Sequence, residues 1–233
     1  QPDWVSAVAG VGEGLESFVT GCYDGCLRVY GPGCKVTSLE KAHKSPVTAL
    51  CAVLPGGAGG AKGFLSGSKD MTARLWRRVG SGSNASLEAA AVLTGHTNSV
   101  SAVHATCSAA FTGDWDGHVC MWDVACLAAD NTADRGGSKR RKTDKAEAAA
   151  AVSEQLPTAG FRAHAQAVTG LAGPAGVGAG GGGGGGGGEG AATLYSASLD
   201  RAVKTWDAER QDCVHTLNAP KAVTCLGCSD SGR

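Results

Sequence analysis

Histidine, hydroxyl and carboxylate side chains recur in this chain at spacings that could assemble a nucleophilic relay. In such a relay His is the base, Ser or Thr the nucleophile, and Asp orients the ring. The sets are His43 with Ser66 and Asp70, His96 with Thr112 and Asp116, and His164 with Ser196 and Asp200. Each Asp follows its hydroxyl by four positions and precedes an indole, Trp76, Trp122 or Trp206, by six; Thr20, Asp24 and Tyr30 keep the spacing without a His. A catalytic triad has no need to recur, and no Gly-x-Ser-x-Gly elbow is present. The repeated indole N–H points instead to a buried network, in which His and Asp bond across a unit while the hydroxyl and Trp complete it. Charge-assisted bonds of that kind contribute on the order of 1.5–3 kcal/mol each. The set is therefore read as structural, and no catalytic residue is assigned.

The elements that position these residues follow from the period. Asp24, Asp70 and Asp116 lie 46 residues apart (24 to 70, 70 to 116), the length of one four-stranded propeller blade. The next interval, 116 to 200, is 84 residues and contains two low-complexity segments. His43, His96 and His164 each precede a Val by four positions (Val47, Val100, Val168), and each Val precedes Leu50, Val103 or Leu171 by three. Short alternation of this kind predicts an inner strand with one apolar face. The same pattern occurs at residues 5–8 and 223–226, where Gln1 and Ala219 occupy the His register. The expected units are 3–31, 43–78, 95–123 and 163–208, with a fifth beginning at 219–233.

Composition removes several function classes. The 233 residues carry 21 basic and 21 acidic side chains, so no global field favours nucleic acid or a membrane surface. No stretch is apolar enough to span a bilayer, and no membrane partner is expected. The ten cysteines include one Cys-x-x-Cys, Cys225 to Cys228, with no second pair at zinc-ribbon spacing. They are read as small core residues in a reducing compartment, with no metal and no cofactor. Gln1, set against a strand, reads as the start of a piece cut from a longer protein.

Two insertions stand outside the repeat. Residues 124–161 are rich in Ala and charge and predict a disordered loop between the third and fourth blades. Within them Lys139, Arg140, Arg141 and Lys142 read either as a nuclear-localisation or nucleic-acid patch or as a solvated charge cluster. Residues 173–190, with nine glycines from Gly180 to Gly188, predict a hairpin extension inside the fourth blade. A phosphate-binding loop would need a Gly-Lys-Ser/Thr ending, which is missing.

The residues at 96–100 (His-Thr-Asn-Ser-Val), 111–117 (Phe-Thr-Gly-Asp-Trp-Asp-Gly) and 121–123 (Met-Trp-Asp) resemble a WD repeat, as do Gly67-Ser68-Lys69-Asp70 and Arg74-Leu75-Trp76. The resemblance implies an all-β fold, a WD-repeat β-propeller, with four blades and the start of a fifth present. Such propellers usually have seven blades, so about three are expected beyond Arg233, and open sheet edges would favour association. Tyr30 in place of Trp, with an O–H that can still donate, and Ala197 in place of Gly are departures from the pattern.

The order of features narrows the resemblance. Asp3-Trp4-Val5-Ser6-Ala7-Val8, the Asp114-Trp115-Asp116 turn, a basic insertion after the third blade and a His-less fifth unit together resemble the family of WD-repeat subunits found with Pescadillo and a Bop-type protein in a nucleolar complex. That resemblance implies a non-enzymatic scaffold for assembly of the large ribosomal subunit precursor and ribosomal RNA maturation, located in the nucleolus and nucleoplasm. It implies binding to the Bop-type propeller, and to the midasin AAA ATPase only through an N-terminal ubiquitin-like domain that would precede Gln1. In this context the basic run favours nuclear targeting. On WD propellers the residue before the turn Asp projects onto the wider face, which selects Tyr23, Lys69, Trp115 and Leu199 as candidate partner contacts. A WD adaptor of another pathway, such as a ubiquitin-ligase substrate receptor, is the alternative.

Overall fold

The computed structural model describes residues 3–11, 17–31, 34–53, 63–79, 86–106, 108–124, 152–173, 193–208 and 210–227. Among them lie seventeen strands and no α-helix. Strands β1 (Val5–Val11), β2 (Ser17–Cys22), β3 (Cys26–Tyr30) and β4 (Val36–Lys41) form the first antiparallel sheet in sequence order. β5 (Val47–Val53), β6 (Gly63–Ser68), β7 (Ala73–Val79) and β8 (Ser86–Leu93) form the second. β9 (Val100–Ala105), β10 (Ala109–Asp114) and β11 (His118–Asp123) open the third. β12 (Ser153–Gln155) then adds to β8 in parallel before β13 (Ala159–Arg162) completes the third sheet. β14 (Val168–Ala172), β15 (Thr193–Ser198), β16 (Ala202–Asp207) and β17 (Asp212–Asn218) form the fourth. These four meanders are the blades of a β-propeller.

Apolar cores form between consecutive blades, because each sheet presents one alternating face to the next. Trp76 packs with Ala9, Val19, Leu27 and Phe64 between blades 1 and 2. Trp122 fills the corresponding place between blades 2 and 3, and Trp206 between blades 3 and 4. Burying a large apolar side chain contributes about 1.5–3 kcal/mol, so each interface is anchored mainly by its indole and the Leu and Val residues around it.

A second device joins the inner strands. Ser6 donates to the carbonyl of Val47, and Thr48 to that of Val100. Ser101 donates to Val168 O at 2.5 Å, and Thr169 to Val223 O at 2.6 Å. One hydroxyl per blade thus grips the backbone of the next unit. The approach is close: a Cβ on Gly67 would sit 2.7 Å from Val100 Cγ1, and one on Gly113 2.6 Å from Val168 Cγ1. Glycine is required there for space between blades. The equivalent position in blade 4 is Ala197, fully buried.

Three expectations need correction. Residues 153–155 and 159–162 are strands, so the interval 124–161 is not disordered throughout. Its residues up to 158 fall between β11 and β13, the third and fourth strands of blade 3, and not between blades 3 and 4. β13 is held by pairing with β11 and by Phe161 packing on Trp206, with ring centroids 4.7 Å apart. Residues 219–227 carry no strand, although the Val223 backbone lies between Thr169 and Ser198 O. The basic run at Lys139, Arg140, Arg141 and Lys142, and the glycines from 180 to 188, lie outside the described residues.

Candidate functional site

In blade 2, His43 sits at the entry to β5, Ser66 lies on β6 opposite Arg74, and Trp76 lies two residues further along β7, diagonal to Ser66. His43 Nδ1 is 3.1 Å from Asp70 Oδ2, and its Nε2 is 2.7 Å from Ser66 Oγ. The carboxylate can only accept, so Nδ1–H donates to it and Nε2 accepts the Ser66 proton. Trp76 Nε1 then donates to Ser66 Oγ at 2.9 Å. Asp70 also accepts from the Lys44 and Thr72 amides and from Thr72 Oγ1. Blade 4 repeats the arrangement with His164, Asp200, Ser196 and Trp206, at 3.0, 2.7 and 2.8 Å.

These relays have the connectivity of a hydrolytic triad without its accessibility. Ser66 and Ser196 are fully buried, and each oxygen already accepts an indole N–H. An acyl carbon therefore has no approach to the hydroxyl. Burial, only partly opposed by the Asp bond, holds both His43 and His164 below the ordinary histidine value, so their rings are neutral at pH 7.

Blade 3 departs from its neighbours and overturns one assignment. His96 Nε2 meets Thr112 Oγ1 at 2.6 Å and Trp122 donates to the same oxygen at 2.8 Å, but Nδ1 meets Asp114 Oδ2 at 2.8 Å, not Asp116. Side chains two apart on a strand share a face, so Asp114 projects beside Thr112 toward the His. Blades 2 and 4 have Ser68 and Ser198 at that register, where each hydroxyl accepts the amide of Asp70 or Asp200. Asp114 performs both tasks: Oδ2 meets His96, while Oδ1 accepts the Asp116 and His118 amides at 2.9 Å. Burial works against a charged His96, but the bond to Asp114, aided by Cys120, outweighs it and holds the ring up to about 9. Blade 3 thus contains an ion pair where blades 2 and 4 hold a neutral ring.

Asp116 is consequently displaced to the surface. Its Oδ1 accepts Asn98 Nδ2 at 2.9 Å, and Thr97 Oγ1 lies 3.5 Å from Oδ2.

Blade 1 is locked by a different cation. Arg28 Nη2 lies 2.5 Å from Asp24 Oδ2, and this bond, against the opposing effect of burial, holds the Asp24 carboxyl down at about 2. The Tyr30 ring stacks on Phe18 at 4.7 Å and 8°, a packing role in place of the indole bond to the hydroxyl.

The four candidate contact residues occupy equivalent backbone positions. The amides of Tyr23, Lys69, Trp115 and Leu199 donate to the carbonyls of Trp4, Pro46, Ser99 and Ala167. Three of the side chains meet: Tyr23, Lys69 and Trp115 line one depression of about 650 Å³, together with Trp4, Ser6, Thr48 and Ser101. Leu199 is half-buried and lies outside it. Trp4 was not anticipated. It is 75% exposed and meets Tyr23 edge-on at 6.0 Å, while Lys69 Nζ stands 5.5 Å above the Tyr23 ring. The signal was present in register, since Trp4 precedes Val5 as Pro46 precedes Val47.

Comparison with known proteins fits this geometry. Residues 33–77 and 88–123 match the family described as WD domain, G-beta repeat. The chain is 29% identical over 230 residues, 97% of its length, to the ribosome biogenesis protein WDR12 homolog of Oryza sativa subsp. japonica, and covers 49% of that protein. It is 31% identical over 232 residues to the ribosome biogenesis protein YTM1 of Laccaria bicolor, with 93% of this chain and 47% of the relative covered. The WDR12 homolog of Chlamydomonas reinhardtii is 28% identical over 257 residues, 98% and 53%. The chain spans about half the length of the curated relatives it matches. Three blades with His, hydroxyl, indole and carboxylate joined in one network, the matched WD repeats, and similarity along nearly the whole chain show a WD-repeat β-propeller homologous to the WDR12/YTM1 ribosome biogenesis proteins.

Proposed function

We propose that this chain is the propeller portion of a non-enzymatic assembly factor for the large ribosomal subunit precursor, acting in ribosomal RNA maturation. The observation that carries the reading is the similarity, across at least 93% of the chain, to proteins named for ribosome biogenesis. The geometry supports a scaffold role, since its His–hydroxyl–Asp relays are buried and its exposed aromatics gather on one rim. That rim, through Tyr23, Lys69 and Trp115 and with Leu199 at its margin, contacts a Bop-type propeller in a complex that also contains Pescadillo. Midasin is reached only through an N-terminal domain outside these residues. The complex works in the nucleolus and nucleoplasm, and Lys139, Arg140, Arg141 and Lys142 direct import.

Affinity purification of the full-length protein, with identification of co-purifying proteins, tests the reading. Recovery of Pescadillo, the Bop-type protein and large-subunit precursors is the expected result. Recovery of ubiquitin-ligase subunits in their place would overturn it in favour of an adaptor.

A further inference from the structure

In blades 2 and 4 the turn aspartate is consumed by the fold: Asp70 bonds His43 and Asp200 bonds His164. In blade 3 that duty has passed two residues upstream to Asp114, which leaves Asp116 with no structural cation to serve. Asp116 is exposed and has no ionic partner among the described residues. Its carboxylate is nevertheless held in place. Asn98 donates to it through Nδ2 while using Oδ1 to accept the Ser99 amide at 2.7 Å, so the amide side chain is fixed at both ends.

The preceding residue in the turn is Trp115, 53% exposed at the mouth of the depression. An oriented carboxylate and an accessible indole on one turn suit a guanidinium, whose planar fork bonds a carboxylate while its face stacks on a ring. An ammonium would satisfy the charge but not the planar contact. The rim already accommodates a cation over an aromatic face, with Lys69 above Tyr23.

We infer that Asp116 and Trp115 form a binding site for an arginine side chain of a protein partner docked on the rim of the propeller. The choice of occupant rests on charge complementarity, because Asp116 is an exposed, pre-positioned anion without an ionic partner among the described residues, one residue along the turn from an exposed indole. It also rests on the proposal that this face takes the Bop-type partner, and it adds the chemistry by which one contact is made.

The test is a binding titration of the full-length protein with that partner, comparing wild type with Asp116→Asn, Asp116→Lys and Trp115→Ala. Asp116→Asn keeps an acceptor for Asn98, and its amide N–H can donate to the Thr97 hydroxyl, so it serves if the charge reversal impairs folding; circular dichroism checks each variant. Asp116→Lys and Trp115→Ala should each weaken binding about tenfold or more, as loss of one side of a desolvated charge contact does. Changing one exposed arginine of the partner to glutamate should restore binding to Asp116→Lys. Unchanged affinity in folded Asp116→Lys or Asp116→Asn overturns the inference and leaves the proposed function standing. Rescue by a lysine reversal, with none by any arginine, overturns the guanidinium assignment. No binding by wild type overturns the partner reading and the inference with it.

Discussion

His96 Nδ1 stands 2.8 Å from Asp114 Oδ2, and the two side chains are 0% and 1% exposed. Removing the carboxylate takes away the bond that keeps His96 protonated and the acceptor of three donors, His96 Nδ1–H and the Asp116 and His118 amides. Asp114→Ala should therefore cost about 3–5 kcal/mol, whereas Asp116→Ala should stay within about 0.5 kcal/mol. Urea unfolding of the full-length variants measures both, and equal losses would contradict the assignment of the lock to Asp114.

Acid and alkali should act on different blades. His43 and His164 have folded pKa values below the unfolded one, mainly through burial, so the unfolded chain binds protons that the blades do not. Their contribution is complete above about pH 6.5 and is lost as pH falls below it. His96 is held up to about 9, so its contribution is complete below about 6.5 and is lost as pH rises through about 9. The melting temperature should fall on both sides of neutrality, and His96→Gln should flatten the alkaline side alone. An alkaline slope unchanged in that variant contradicts the buried ion pair.

Much of this was readable in sequence, for a definite reason. The spacing from Ser66 to Asp70 to Trp76 equals half a strand, a turn and half of the next strand, so the repeat encodes β-meander geometry directly. β13 was hidden because Ala159 and Gly160 carry no strand preference, and only pairing to β11 and packing of Phe161 on Trp206 order it. The lock in blade 3 was misassigned because Asp114 and Asp116 are both within turn distance; the face shared by Thr112 and Asp114 decides between them. Trp4 precedes Val5 in the register of Pro46, Ser99 and Ala167, none of which is aromatic, so the repeat itself gives no sign of a ring there.

The glycine contacts between blades can be tested by adding one methyl group. Gly113→Ala places a Cβ against Val168 and should destabilise by about 1–3 kcal/mol. Val168→Ala in the same chain should recover part of the loss. A double-mutant cycle with no coupling would show that the approach of β10 to β14 is not the cause.

The hydroxyl ladder should respond to an isosteric change. Thr48→Val removes the donor to the Val100 carbonyl at similar volume and should cost about 1 kcal/mol, while Thr48→Ser should cost less. Thermal melts of the two variants distinguish loss of the bond from loss of packing; equal melting temperatures would count against the ladder as a source of stability.

The central claim, that the propeller serves assembly of the large ribosomal subunit, is tested most directly by conditional depletion of the protein followed by sedimentation of ribosomal particles. Depletion should lower large subunits relative to small ones and accumulate precursors of large-subunit ribosomal RNA; an unchanged subunit ratio with normal precursor levels would contradict the account.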